Sequence, residues 1–280
     1  YKVTTLKTQY RSIPAIGNVF SKLTYDGIIK HNRTSASQKK LGIEGRLNIK
    51  SLNIIKFPVS RYESIYRTKR LNGSSAYQVY SAIFASEFTV FLAKLISECN
   101  RKEQFSVGVI APYRAQADLI DKLTSSMVVP KNIELSVGTI HSFQGDECDI
   151  IIAVFNPPPV ITDSDEMFLN KKNIINVSLS RARDYLFMIM PDGRTDNISN
   201  LKVIRKAEAL FKSSVSFTEL GSHEVEKVMF GSESYLEENT FTTGHQSVNV
   251  YAVPEKKYEI RSEDSAVDLQ VRRAAKGREL

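Results

Sequence analysis

Three short polar clusters interrupt an otherwise core-forming chain, and each places arginine or glutamine where packing alone would accept alanine or leucine. They are Gln9-Tyr10-Arg11, the run from Thr139 to Glu147 (TIHSFQGDE), and Asn176-Val177-Ser178-Leu179-Ser180-Arg181-Ala182-Arg183. A guanidinium is a planar, permanently charged donor suited to phosphate oxygens. Taken singly, Arg181 and Arg183 read most simply as solvent-exposed helix arginines. On a helix, residues two apart point roughly 200° away from each other, so only one of the two can face a given phosphate. Four scattered histidines form no metal-ligand spacing, and a zinc reading has little behind it. The chain contains no Gly-Lys dipeptide and therefore no P-loop to cradle a triphosphate. Asp146-Glu147 follows Phe-Gln-Gly rather than ending a hydrophobic strand, which separates it from a magnesium-holding acidic pair.

These clusters need elements to position them. Strand-like runs occur at Ser51 to Val59, Ser106 to Ala111, Leu135 to Ile140, Ile150 to Phe155 and Tyr185 to Met190. Between them, apolar residues recur at helical spacing: Ile16, Val19, Phe20 and Leu23 after Pro14; Phe84, Phe88, Phe91, Leu92 and Leu95; Leu119, Ile120 and Leu123; and Ile175, Leu179 and Ala182. Strands that alternate with helices, several of them continuously apolar, predict a mostly parallel α/β sheet covered on both faces. Ligands of such sheets bind beyond the carboxyl ends of the strands, where Ile110 to Arg114 and Gly138 to Ser142 fall. Arg33 to Lys40 and Arg61 to Ser75 read as surface loops, either a solvated face or a phosphate-tracking patch. The polar stretch Asp192 to Asn200 predicts a domain edge, dividing a domain over residues 1–200 from a small α+β appendage over 201–280. That appendage opens on a basic helix near Leu201 to Lys212, and Val248 to Val253 and Lys257 to Arg261 are strand-like.

Lysine and arginine exceed the acidic residues by 38 to 31, a formal charge of +7 that leans toward polyanionic partners without proving them. With no run of about eighteen apolar residues and no leader-like start, neither a membrane span nor secretion is predicted. The expected setting is intracellular, either cytoplasmic or in the nucleoid or nucleus. Cys99 and Cys148 are too few for a disulfide framework and read as lone buried thiols. The first residue is Tyr1 rather than Met, which suggests a piece of something longer.

Four motifs occur in order: Leu6-x-x-Gln9-Tyr10-Arg11-Ser12-x-Pro14-x-Ile16, Val109-Ile110-Ala111-Pro112-Tyr113-Arg114-x-Gln116, Thr139-Ile140-His141-Ser142-Phe143-Gln144-Gly145-x-Glu147-x-Asp149-x-Ile151-Ile152, and Asn176 to Arg183. Together they resemble the second, carboxyl-terminal RecA-like domain of superfamily 1 DNA and RNA helicases. The branch they resemble includes the nonsense-mediated-decay helicase and senataxin, whose members move 5′ to 3′. The resemblance spans about Tyr1 to Met190 and implies a RecA-like, P-loop-NTPase-type fold, with ATP and Mg²⁺ held mainly by a separate amino-terminal RecA-like domain. It implies that Arg11 and Arg181 reach the γ-phosphate as arginine fingers. Gln9 and Tyr10 would support Arg11, while Gln144, Gly145 and Glu147 would face the nucleotide, with Glu147 accepting from the ribose. It also implies that Pro112, Tyr113, Arg114, Thr139 and His141 contact single-stranded DNA or RNA. For His141 a structural, hydrogen-bonded imidazole stands equally beside a strand contact.

Two functions are compatible with these residues. The first is the carboxyl-terminal motor half of an ATP-dependent helicase or translocase, inactive by itself. The second is a non-catalytic nucleic-acid-binding or scaffold module on a helicase-like fold. A nuclease or other effector activity after Asn200 finds no supporting carboxylate and lysine spacing.

Overall fold

The computed structural model describes residues 7–43, 45–71, 75–143, 145–194, 197–245, 248–253, 256–261 and 270–273. Gln144, assigned above to the nucleotide, lies outside the described residues. In chain order the elements are β1 (Thr8–Gln9), α1 (Pro14–Thr24), β2 (Lys30–His31), β3 (Leu52–Phe57), β4 (Thr68–Leu71), β5 (Ser75–Gln78), α2 (Val79–Cys99), β6 (Phe105–Ala111), α3 (Arg114–Ser125), β7 (Ile133–Thr139), β8 (Cys148–Val154), α4 (Lys172–Ser180), β9 (Ala182–Pro191), α5 (Lys202–Lys212), β10 (Phe217–Gly221), α6 (Ser222–Phe230) and α7 (Tyr235–Asn239). Four further strands follow: β11 (Phe241–His245), β12 (Val248–Val253), β13 (Lys256–Arg261) and β14 (Gln270–Arg273).

Six strands form one sheet in the order β10-β3-β9-β8-β6-β7, and every neighbouring pair is parallel. The continuously apolar runs explain why. All seven residues of β8 are buried, which requires cover on both faces rather than the one-sided burial of an alternating strand. Successive side chains point to opposite faces. Ile55 therefore joins the core under α2, α3 and α6, while its neighbour Ile54 joins the core under α1, α4 and α5. This is the parallel α/β sheet covered on both faces that the sequence predicts, and it is consistent with the RecA-like fold that the motif order implies.

Helix α1 starts on Pro14, whose missing N–H costs nothing in the first turn, and buries Ile16, Val19, Phe20 and Leu23 along one stripe. Helix α2 is long and apolar enough to cross a membrane by length and composition, and most of it is buried in the domain core. That is the placement of a core helix.

Three expectations need correction. The sheet continues past position 200, because β10 pairs in parallel with β3 and α5 packs against α1, so no break in the sheet marks the expected edge. Strand β10 escapes a sequence reading because Thr218 is its single buried residue in an otherwise partly exposed edge strand, which leaves no apolar period to read. Ala182, grouped with the helix of Ile175 and Leu179, opens strand β9 instead. Cys148 is buried, and burial pushes its thiol up to about 12, but Cys99 is exposed at the end of α2. Beyond α7, strands β11 to β14 pair antiparallel in sequence order.

Candidate functional site

The link between β7 and β8 decides the geometry. Both strands are parallel to β6 and flank it, so the chain must return from the carboxyl end of one to the amino end of the other. Residues 140–147 alone make this crossover, fewer than the roughly dozen usual for parallel strands. The loop manages it by lying flat on β6. A Cβ on Gly108 of β6 would stand 2.8 Å from the Phe143 ring and 2.7 Å from Ile151, and one on Gly138 would stand 2.1 Å from the Ser142 hydroxyl. Phe143 is buried in the core, and Gly145 turns the chain with φ +105°. The loop thus begins at one edge of the sheet and ends at the other.

At the amino-terminal edge, the starts of β8 and β9 lie side by side, with the Cys148 N–H donating to the Arg181 carbonyl. The Arg11 segment is stitched to this edge. Ser12 Oγ donates to the Ala182 carbonyl at 2.6 Å, the Ile13 N–H donates to the Arg183 carbonyl at 3.0 Å, and Arg11 itself donates to the Ser180 carbonyl at 2.8 Å. Arg11 Nε also pairs with Glu147 at 2.8 Å, and Arg183 holds the other Glu147 oxygen at 2.9 Å. Hydrogen bonding from Arg11 holds the Glu147 carboxyl below its usual range, and the charge of Arg183 adds to this.

Arg11, Glu147, Asn176 and Arg181 line one pocket of about 820 Å³, with Tyr10 at its rim. That size suits a nucleotide-sized ligand. The Arg181 guanidinium is held below its ordinary proton affinity by burial and then by the positive charge of Arg11. Its Nε is buried without a hydrogen-bond partner, as is the Asn176 Oδ1. Two neighbouring cations, one of them with an unpartnered Nε, make a site that gains from an oxyanion. The residues present therefore fit an anionic, nucleotide-like group.

The structure sorts the predicted residues. Arg11, Glu147 and Arg181 converge on this pocket, and Tyr10 is well exposed there. Gln9 lines the pocket but spends its amide locally, donating to the Ser12 carbonyl, accepting from the Ser12 N–H and meeting His31. Arg181 and Arg183 do separate, Arg181 to the pocket and Arg183 to Glu147, but helical phase is not the cause. Helix α4 ends at Ser180, and Arg183 already belongs to β9.

Pro112, Tyr113 and Arg114 lie at the opposite, carboxyl-terminal edge, where β6 ends and α3 begins. They line a pocket of about 740 Å³ together with Arg70 and Phe168. The Tyr113 ring sits 5.5 Å from Phe168, and burial pushes its phenol up to about 12. Thr139 is paired in register with Ala111 beside them, and its carbonyl accepts from Ser142 Oγ. His141 is exposed at the start of the loop. The rule that ligands sit beyond the carboxyl ends of the strands thus places one cluster and not the other.

Arg33 is a residue that composition conceals. Its neighbours place it in a surface loop, yet its side chain is 13% exposed. It donates to the Arg11 carbonyl at 2.8 Å and to the buried Asp184 carboxylate at 2.6 Å, tying the Arg11 segment to β9. A lone arginine among Ser, Thr and Gln offers no periodic signal. Among the described residues no group of three His, Cys, Asp or Glu side chains is gathered to hold a metal ion.

Residues 1–192 match the family described as an AAA domain. The chain is 26% identical over 249 residues to a putative ATP-dependent RNA helicase, ECM32, of Saccharomyces cerevisiae, a match covering 76% of this chain and 20% of that protein. It is 27% identical over 204 residues to the putative helicase mov-10-B.1 of Danio rerio, covering 67% and 19%. Against the DNA replication ATP-dependent helicase/nuclease dna2 of Schizosaccharomyces pombe it is 27% identical over 200 residues, covering 65% and 13%. The chain therefore spans about a fifth or less of these relatives. Among solved structures it is similar to the C-terminal domain of a possible DNA helicase from Lactobacillus plantarum WCFS1, with a TM-score of 0.36 and 11% identity over 75% of this chain and 98% of that one. With a family model matching over 1–192, the chain belongs to this AAA-domain family, and with relatives named as helicases the match is consistent with a superfamily 1 helicase domain.

Proposed function

We propose that this chain is the carboxyl-terminal motor half of an ATP-dependent DNA or RNA helicase or translocase. In this reading it completes an ATPase site whose P-loop and magnesium-binding residues belong to an amino-terminal RecA-like domain. The observation that carries the reading is the convergence of Arg11 and Arg181 on one pocket beside Glu147. Such a pair suits charge developing on a phosphoryl group in transfer, where a planar fixed cation stabilises the transition state more than the ground state.

When bound, ATP would supply the phosphoryl group and the free energy of its transfer; this chain's part is positioning. Arg11 must leave Glu147 to reach an incoming anion, and that frees a Glu147 oxygen to accept from a ribose hydroxyl. Gln9, through Ser12, and Arg33 hold the Arg11 backbone while its side chain moves. At the other edge, Arg114, Thr139 and the exposed His141 offer donors to the backbone of a single strand without reading its sequence. The 140–147 loop touches both edges, so a shift of Glu147 on nucleotide binding is transmitted toward Thr139. Closing and reopening the cleft between the two motor domains would then ratchet the strand.

The test is strand-stimulated ATP turnover by the full-length protein carrying Arg181→Ala. The expected result is a fall of about 10³-fold or more in kcat with a far smaller change in KM. A kcat within a few-fold of wild type would remove Arg181 from the role assigned to it.

A further inference from the structure

The carboxyl-terminal edge carries a second trough, of about 440 Å³, beside the Pro112 to Arg114 pocket. The two share Pro158 and Val160 in their walls, so they adjoin. Arg61 and Arg67 line the second trough, and its lining contains no carboxylate. Glu63 lies alongside and pairs with Arg67 and Lys69. Next to Arg61, Tyr62 is 83% exposed, more than any other aromatic side chain among the described residues.

An aromatic ring in open solvent, next in the chain to one of two arginines that line a trough, is a combination suited to unpaired bases and their phosphates. The loop that presents it is firmly anchored. Ile65 and Tyr66 are buried, the Ser60 N–H donates to the Tyr66 carbonyl, the Tyr80 N–H donates to the Ile65 carbonyl, and Gln78 donates to the Tyr66 carbonyl at 2.8 Å. The Tyr66 hydroxyl also donates to Glu237 of α7 at 3.0 Å. Tyr62 and Arg61 are therefore held out from a fixed base.

We infer that this trough is a second segment of the single-strand path, where Arg61 and Arg67 contact phosphates of the nucleotides beyond those held at Pro112 to Arg114 and Tyr62, beside Arg61, stacks on a base. The inference rests on the strand-binding reading above and extends it to residues that no motif covers. Glu63 is the local counter-ion that strand phosphates would displace from Arg67.

The experiment measures fluorescence anisotropy of labelled oligothymidylate and oligouridylate, each about 6 and about 20 nucleotides long, bracketing common groove site sizes. The proteins are the full chain and its Tyr62→Ala, Arg61→Gln/Arg67→Gln and Arg114→Gln variants, with melting temperatures checked for each. Tyr62→Ala is expected to weaken the long strand roughly 5- to 100-fold and to leave the short one unchanged. The double arginine variant should flatten the salt dependence of long-strand binding by about 1.4 in log–log slope, about 0.7 for each phosphate no longer neutralised. Wild-type affinity for both lengths in both variants overturns the trough. If Arg114→Gln still weakens both strands in that case, the strand-binding edge itself stands. Failure of the wild type to bind either length overturns both readings. As an independent measurement, a strand containing 4-thiouridine should crosslink to Tyr62 on irradiation, and adducts confined to other residues count against the trough.

Discussion

Replacing Arg33 by methionine tests how the Arg11 segment is held. The substitution keeps the aliphatic stem and removes a guanidinium that donates to the Arg11 carbonyl, the Ser37 carbonyl and the Asp184 carboxylate. The Asp184 side chain is 1% exposed, and one of its oxygens already lacks a partner, so the variant leaves a buried carboxylate without its counter-charge. Breaking one side of such a pair costs about 3–5 kcal/mol. Adding Asp184→Asn should recover most of this, leaving about 1–2 kcal/mol for the missing hydrogen bonds.

The pH dependence follows from the sign of the shift. Burial raises the Asp184 carboxyl above its ordinary value, and Arg33 pulls it back in part. Without Arg33 it rises further. A carboxyl raised in the folded state costs stability above its folded pKa, and the cost disappears as pH falls below it. The deficit of Arg33→Met should therefore shrink from pH 7 toward pH 5. Urea unfolding at both pH values, with the double variant alongside, is the assay. A single variant within about 1 kcal/mol of wild type, or a double variant no more stable than the single, would refute the reasoning.

Three further outcomes are expected. Gly108→Val drives a side chain into Phe143 and Ile151, so overpacking should cost about 1–3 kcal/mol and lower the melting temperature by roughly 3–10 °C. Gly193→Ala, with nothing within 4 Å of the added carbon, should melt like wild type in the same scan. Glu147→Gln removes the ion pairs to Arg11 and Arg183, but at 39% side-chain exposure this should cost at most about 1 kcal/mol. Because the Glu147 pKa is depressed, that contribution is present above the unfolded carboxylate value of about 4.3 and is lost as pH falls through the folded value. Wild type and variant should converge in thermal unfolding at acid pH.

The sheet is legible in the sequence because its central strands are apolar without alternation, and β6, β8 and β9 fall within a few residues of their expected bounds. Edge strand β10 and the stretch carrying Arg33 are not legible. The first is short and only partly buried, the second is polar by composition, and each owes its place to partners distant in sequence, Leu52 to Lys56 for β10 and Asp184 for Arg33. The arginine-rich stretch from Arg61 presents the same ambiguity, and its wall of pocket becomes visible only once β8 and its following loop stand beside it. The two-edge arrangement is hidden as well, because the 140–147 crossover is shorter than parallel strands normally permit. Only its packing against Gly108 shows how it lies.

The most direct test of the account is a structure of the full-length protein with ADP, Mg²⁺, aluminium fluoride and a single strand bound. The account predicts that Arg11 has left Glu147 and that the Arg11 and Arg181 guanidiniums both lie about 3 Å from the fluoride that stands for the transferring phosphoryl group, with the strand on the Pro112 to Arg114 edge. An Arg11 still paired with Glu147, and both guanidiniums far from the fluoride, would contradict it.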